Sequence, residues 1–402
     1  MKLQKAKIFV KSLDEVTLNQ FQNAIKYDFV VDSALMPDAH LGYVAPIGSV
    51  IKTKDCIVPS FVGYDVGCGV IAVKLKLKNI KTEKNKKLID VKNSNLFSLI
   101  KKNEKKIFNE INLTVPMGLG KLHSENQISK ETKEEFSKIL KSLENKIDSD
   151  LFNWLKRRAK SNLGTLGQGN HFIEIGENKK DIYLIVHVGS RNVGHKVAEH
   201  YMQRSKEQNL LKIKTEHVED VFPLKSSSKI GKEYLLAQDF CLNFALLNRM
   251  ELIKMVIKGI EKIINQKIDY VLFANKNHNH VIREGKFFIH RKGATPAKKG
   301  EKGVIPANMC DGTYLIEGKG SKKFLYSSSH GAGRSKSKKE SRETISLFDF
   351  KKQMKGIVAN VRNETIDESP NAYKKIDEVL SNQKESIKII KQIKPIINWK
   401  GF

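Results

Sequence analysis

The stretch SNLGTLGQGNHFIEIGENKKDIYLIVHVGSR, Ser161 to Arg191, combines three features whose repetition decides how the chain reads. Gly164, Gly167 and Gly169 fall within six residues and mark an irregular loop. The apolar, β-branched run in DIYLIVHV then reads as a strand. A histidine stands where loop and strand meet: His171 follows the glycines, and His187 comes just before Gly189. The theme is a potential ligand, beside glycine, at the end of a strand.

That theme recurs on both sides. In GYDVGCGV, Asp65 and Cys68 are three apart on a turn, so a carboxylate and a thiolate can converge on one ion. NKNHNH offers His278 or His280, and SSSHGAGR sets His330 between small residues with Arg334 four positions on. A carboxylate, a thiolate and several imidazoles form a borderline ligand set, suited to Mn, Fe, Co or Zn, whereas purely oxygen sites suit Mg or Ca. The surplus over four ligands also permits two metals, an arrangement that clamps both ends of a phosphoryl displacement. Taken singly, a histidine beside a strand is ordinarily structural and a buried cysteine a small hydrophobe; repetition carries the reading. His123, His195, His200, His217 and His290 lack the setting and stay unassigned.

The first 75 residues read as short strands and turns, with Gly and Pro interrupting β-branched runs. Residues 80–160 form a Lys- and Glu-rich helical excursion whose charges are by default a solvated face, although Arg157 and Arg158 lie close to the next motif. Leu236, Phe240, Leu247 and Met250 predict a long helix over about 232–266, serving as core. Strands are expected around Tyr314 and Phe324, and a helical tail ending in IINWKGF. Chemistry-bearing residues spread from 38 to 330 with no convincing linker, which points to an α/β (α+β) fold in one domain, 1–402.

The net charge of +28 favours a polyanionic partner, although the excess is spread widely as Lys and does not locate a binding face. Four scattered cysteines without a C-x-x-C pair fit a reducing cytoplasm, and no apolar run approaches the length needed to span a bilayer. GTYLIEGKGS has five residues between its glycines and Gly320 after Lys319, so it is not a Walker A loop. The glycines of GTLGQGN are in the wrong order for a dinucleotide fingerprint.

Taken together, MPDAHLG followed by IG, DVGCGV, GTLGQGNHFIE, HVGSR, HN, RKGATPA, SSSHGAGR and a terminal KG resemble, in order and over about Met36 to Gly401, the RtcB family of RNA-splicing and RNA-repair ligases. The resemblance implies a single-domain fold around a central metal cleft. It implies a GTP- and Mn²⁺-dependent enzyme, with one or two ions per site, that joins RNA ending in a 2′,3′-cyclic phosphate or 3′-phosphate to RNA with a 5′-hydroxyl. His330 is then the nucleophile that becomes guanylylated, and Asp65, Cys68, His171, His187 and His278 are the metal ligands.

Asn170, Glu174, Thr313, Ala332, Gly333 and Lys400 match nucleotide-contacting positions, with Glu174 accepting from guanine N1 and N2 and Lys400 donating to its acceptor edge. Asp38 and His40 support the site; Lys292 and Lys338 are candidates for holding RNA phosphates, and Arg334 for offsetting phosphate charge. The chain departs from the family pattern at Val44, where Gly is usual, and at Ala307, Asn308 and Cys310 of IPANMC; Thr313 stands where Ser is common and Lys338 where Arg is. The resemblance leaves the physiological RNA and any activating protein open. The competing readings are a metal-dependent phosphodiesterase that opens 2′,3′-cyclic phosphates without sealing, and a non-catalytic RNA-binding protein on the same fold.

Overall fold

A computed structural model describes residues 6–78, 94–123, 127–210 and 220–401; His217 and parts of the 80–160 excursion lie outside them. The architecture is the expected mixture of helix and sheet. Its centre is a sheet with strand order Lys302–Pro306, Thr313–Gly318, Ile387–Lys400, Phe172–Asn178, Asp181–Val188, Gly69–Leu77, Ile268–Asn277, with the short Val358–Ala359 strand joining Ile387–Lys400. The sheet curls into a half-barrel, bringing its two edge strands, Lys302–Pro306 and Ile268–Asn277, back into contact. A second sheet runs Ala6–Ile8, Val30–His40, Ile47–Lys54, Phe287–Lys292, Asn279–Glu284. The chain passes from the first sheet to the second at His278, between Ile268–Asn277 and Asn279–Glu284.

The predicted long helix spans Lys229–Ile264, about 54 Å at 1.5 Å per residue. Its start is capped by the Ser228 side chain, which accepts from the Gly231 N–H, and its end by Asn265 in the left-handed region at φ 53°. The N-terminal half, from Tyr234 to Phe244, packs on helices Lys130–Lys141 and Asn192–Leu210, while Leu252, Ile253, Val256, Ile257 and Ile260 pack on the central sheet. Two apolar neighbours on different faces explain why the helix is buried along nearly its whole length. In the excursion, helices Ser94–Thr114, Lys130–Lys141 and Ser149–Asn162 bear out the helical reading of the described residues.

Three local expectations are overturned. The tail Ile387–Lys400 is a 14-residue strand, not a helix. Its six isoleucines favour strand, and Pro395, which would break a helix interior, sits at a register shift in the ladder to Phe172–Asn178. Phe324 lies in a turn before the strand Ser327–Ser329, its ring stacked on Phe9 at 3.5 Å between centroids. Helix Glu15–Ile25 interrupts the strands of the first 75 residues; Asp14 caps it by accepting from the Thr17 N–H at 2.8 Å, and Phe21, Ala24 and Ile25 face the core. Among the described residues, no helix is long and apolar enough to cross a membrane.

Candidate active site

Antiparallel pairing gathers the candidate ligands. Gly69–Leu77 runs opposite to both its neighbours, so its first residues lie beside the last residues of Asp181–Val188 and Ile268–Asn277; Gly69 pairs with Val188 on one side and Asn277 on the other. Cys68, His187 and His278 therefore meet at one end of the sheet. Phe172 pairs with both His187 and Lys400, which brings His171 and the chain's terminal strand to the same end. Residues separated by more than two hundred positions become neighbours through strand direction alone.

The ligand atoms form two overlapping groups, Cys68–His187–His278 and Asp65–Cys68–His171, each with its atoms within 4.8 Å of one another. Cys68 Sγ is 3.3 Å from His187 Nε2 and 3.7 Å from His171 Nε2, and Asp65 Oδ2 is 3.6 Å from His171 Nε2. Donors around a tetrahedral ion are spaced about 3.5 Å apart, given bonds of about 2.0–2.3 Å, so the set fits a divalent cation, and the shared thiolate fits two. His187 Nδ1 lies 3.2 Å from the Asn170 carbonyl, and His171 Nδ1 3.1 Å from that of Leu166; in the tautomer with the proton on Nδ1, each ring keeps its Nε2 lone pair for a metal.

Burial, then neighbouring positive groups, holds His187 and His278 well below the ordinary histidine range, so their rings are neutral. Burial and then the charge of Asp65 push the Cys68 thiol well above its usual value; a bound cation would reverse this by releasing the thiol proton. Burial also raises the Asp65 carboxyl, but its hydrogen bond and charge interaction with His171 outweigh that and keep it ionised. Gly189 leaves room for this carboxylate: a Cβ there would lie 2.5 Å from Asp65 Oδ1.

His330 follows the strand Ser327–Ser329, and its ring sits 4.7 Å from that of His278. Its Nδ1–H donates to Asp38 Oδ2 at 2.7 Å, and the same oxygen accepts from the backbone N–H of His330 at 3.1 Å and of Gly331 at 3.3 Å. Asp38 is fully buried. Burial works against its ionisation, yet the His330 charge and hydrogen bond hold its carboxyl below the usual range. The pair fixes the His330 tautomer and frees Nε2 as a lone-pair donor. Gly333, at φ 75°, permits the close approach to Asp38, whose carbonyl oxygen a Cβ there would overlap.

A cavity opens from His330 and is lined by Asn170, Glu174, Ala307, Asn308, Ala332, Gly333, Asn398 and Lys400. Glu174, almost fully buried, accepts from Thr313 Oγ1 at 2.9 Å and Asn398 Nδ2 at 3.1 Å. Burial raises its carboxyl to about 7 despite those bonds. Lys400 Nζ donates to Glu368 Oε2 at 2.5 Å, and Glu368 also accepts from Tyr373 at 2.6 Å and Arg334 at 3.4 Å. His40 lines the same cavity, its ring held neutral by burial with a pKa lowered to about 4.

Other expected positions fall less simply. Lys292 is buried, its Nζ donates to the Tyr43 carbonyl, and burial lowers its pKa to about 7, so it is a poor phosphate anchor in this conformation. Lys338 is exposed, 3.8 Å from Asp367 and beside Gly169 of the glycine loop. Arg334 lines the cavity, yet its guanidinium is spent on Glu368, Ser341, and the carbonyls of Lys336 and Asp367. Arg157 is exposed on its helix, and Arg158 comes within electrostatic reach of Arg191. Of the IPANMC departures, Ala307 and Asn308 face the cavity, while Cys310 turns its thiol to the Gln353 carbonyl at 3.5 Å. Val44 holds φ 63°, the left-handed region that glycine occupies at little cost.

Residues that sequence reading passed over also converge here. Arg191 Nη1 lies 3.2 Å from His171 Nδ1, and Arg191 Nε donates to Thr165 Oγ1 at 3.2 Å. Asn398 lines the cavity from the terminal strand, and Glu368, from the 363–368 turn, holds Lys400 from outside it. Only Arg191, in HVGSR, carried a local signal, its place beside the His187 strand end.

Residues 20–401 match the family described as "tRNA-splicing ligase RtcB". The chain is 28% identical to the RNA-splicing ligase RtcB of Escherichia coli K12, covering 95% of this chain and 93% of that protein. It is 28% identical to the tRNA-splicing ligase RtcB of Nanoarchaeum equitans, covering 98% and 94%. To RNA-splicing ligase RtcB homolog 1 of Entamoeba dispar it is 28% identical, covering 96% and 82%. A match of this extent, with the motif residues gathered at one end of the sheet, places the chain in the RtcB family.

Proposed function

We propose that the protein is an RNA ligase that joins RNA ending in a 2′,3′-cyclic phosphate or 3′-phosphate to RNA with a 5′-hydroxyl, using GTP and Mn²⁺. The relatives' shared description as RNA- or tRNA-splicing ligases supports RNA joining. The observation that carries the mechanism is the buried Asp38–His330 pair, which opens on the cavity of Glu174 and Lys400 and adjoins the Cys68–His187–His278 group. A phosphodiesterase that only opens cyclic phosphates has no use for such a histidine, nor for a buried acidic and basic pair of the kind guanine would need. Residues 1–402 act as one catalytic domain, and four free cysteines suit a reducing cytoplasm.

His330 Nε2 attacks the α-phosphorus of GTP, forming a P–N bond as the bond to the β-phosphate oxygen breaks and pyrophosphate leaves. Asp38 keeps the proton on Nδ1 and balances the positive charge that the imidazole gains. Asp65, Cys68, His171, His187 and His278 would hold Mn²⁺, which would supply withdrawal of charge from the phosphates under attack. Glu174 accepts from guanine N1 and N2, Lys400 donates to its acceptor edge, Thr313 and Asn398 hold Glu174 in place, and Asn170, Ala332 and Gly333 border the nucleotide. A 2′,3′-cyclic end is first opened by water, which breaks the bond from phosphorus to O2′ and leaves a 3′-phosphate; His330 then yields GMP to that phosphate, and the 5′-hydroxyl displaces GMP as the new phosphodiester forms.

The test is intact-protein mass after incubation with GTP and Mn²⁺. A GMP-sized increase in the wild type that His330→Ala abolishes is expected. Absence of the adduct in metal-loaded wild type would instead favour the phosphodiesterase reading.

A further inference from the structure

The long helix carries Arg249, fully buried, against the central sheet, and the hydrogen bonds of its guanidinium follow a pattern. Nη1 donates to the Val188 carbonyl at 2.8 Å and the Gly67 carbonyl at 3.3 Å. Nη2 donates to Asn277 Oδ1 at 2.5 Å, and Nε to Asn275 Oδ1 at 2.6 Å. Gly67 immediately precedes Cys68, Val188 immediately follows His187, and Asn277 immediately precedes His278. One guanidinium thus touches the chain neighbour of each member of the buried ligand group Cys68–His187–His278.

We infer that Arg249 is a positioning residue for the metal centre: its planar fork fixes the three strand ends so that Sγ and two imidazole nitrogens are held at coordinating separation before the ion arrives. This inference rests on the metal reading of the preceding subsection. Fully desolvating a guanidinium is costly, and apolar packing of equal volume would stabilise the helix–sheet contact as well or better, so stability alone is a weak reason for an arginine here. The fork supplies what a hydrophobe cannot: several donors in one rigid plane, aimed at acceptors on three separate segments. Its anchors are themselves secured to the helix, since Asn275 Nδ2 donates to the Leu246 carbonyl at 3.3 Å and Asn277 Nδ2 to that of Leu242 at 3.5 Å. The helix, both asparagines and the arginine form one frame against which the ligand loops rest.

Outer partners that orient metal ligands are commonly worth about ten- to a hundredfold in metal affinity. The test titrates the full-length protein with Co²⁺, reading affinity and the thiolate-to-cobalt charge-transfer band, for wild type, Arg249→Met, Arg249→Lys and Leu252→Ala. Leu252 lies three residues along the same helix in the apolar core, makes no polar contact to the ligand segments, and serves as the control for lost stability. The expected result is Co²⁺ binding weakened about ten- to a hundredfold with a diminished or shifted band in Arg249→Met, a smaller loss in Arg249→Lys, and wild-type binding in Leu252→Ala at comparable Tm. Wild-type affinity and band in Arg249→Met would overturn the inference while leaving the metal reading intact. If that variant does not fold, Arg249→Lys decides by the same comparison. A wild type with no thiolate band would sink the metal reading itself, and the inference with it.

Discussion

Asp38→Asn isolates what the buried carboxylate does for His330. In the proposed guanylylation the imidazole becomes cationic as Nε2 bonds to phosphorus, and Asp38, fully buried and hydrogen-bonded to Nδ1 at 2.7 Å, is the anion placed to balance it. With charge centres about 4 Å apart and an effective dielectric constant near 20, that interaction is worth about 4 kcal/mol, or about three decades in rate. Asparagine keeps the size, and its amide oxygen, in the place of Oδ2, can still accept from Nδ1–H and from the backbone N–H groups of His330 and Gly331. The amide nitrogen takes the place of Oδ1, so Nδ1–H keeps its acceptor and the ring its orientation, and what is lost is the balancing negative charge. We expect guanylylation, followed by rapid quench and intact mass at saturating GTP and Mn²⁺, to slow about 10³-fold with little change in GTP affinity or Tm. Adduct formation within about threefold of wild type would refute the assignment of Asp38 as orienting anion.

Other perturbations follow from the same geometry. Glu174 has a folded-state pKa of about 7, above its ordinary 4.5, so the folded protein binds this proton more tightly than the unfolded chain. Its contribution is therefore full at low pH and is lost as pH rises through about 7, by up to about 3 kcal/mol, and Glu174→Gln should flatten that slope in urea melts between about pH 5 and 8. Gly189→Ala puts a methyl group 2.5 Å from Asp65 Oδ1; calorimetric Mn²⁺ affinity should fall about tenfold or more with the fold retained. Val44→Gly relieves a β-branched residue at φ 63° and should raise stability by up to about 1 kcal/mol, read as an increase in Tm.

Much of the site was legible in the linear text because its chemistry sits in short glycine-flanked motifs. Asp65 and Cys68 share one turn, His171 follows one glycine loop, and His187 ends one apolar run, so each candidate carried its own local signal. The long helix was legible too, because 36 residues of regular spacing leave little alternative. The terminal strand misled because isoleucines spaced among lysines suit a helical face as well as a strand, and Pro395 was the contrary sign.

What the sequence determined was which residue types are present, and in which motifs. What only the tertiary structure decided was who meets whom. The motif left His278 and His280 open and the resemblance implied His278; the structure supplies the reason, its place at the strand end beside Gly69, whereas His280 faces Arg291 at 3.4 Å. That Asp38 orients His330 across 292 positions follows from the meeting of two sheets. Arg249 gave no signal, since one arginine in a long helix reads as solvated until burial shows otherwise. The physical reason is common to all three: local propensity acts over a few residues, while strand direction, sheet order and burial are set by packing across the whole chain.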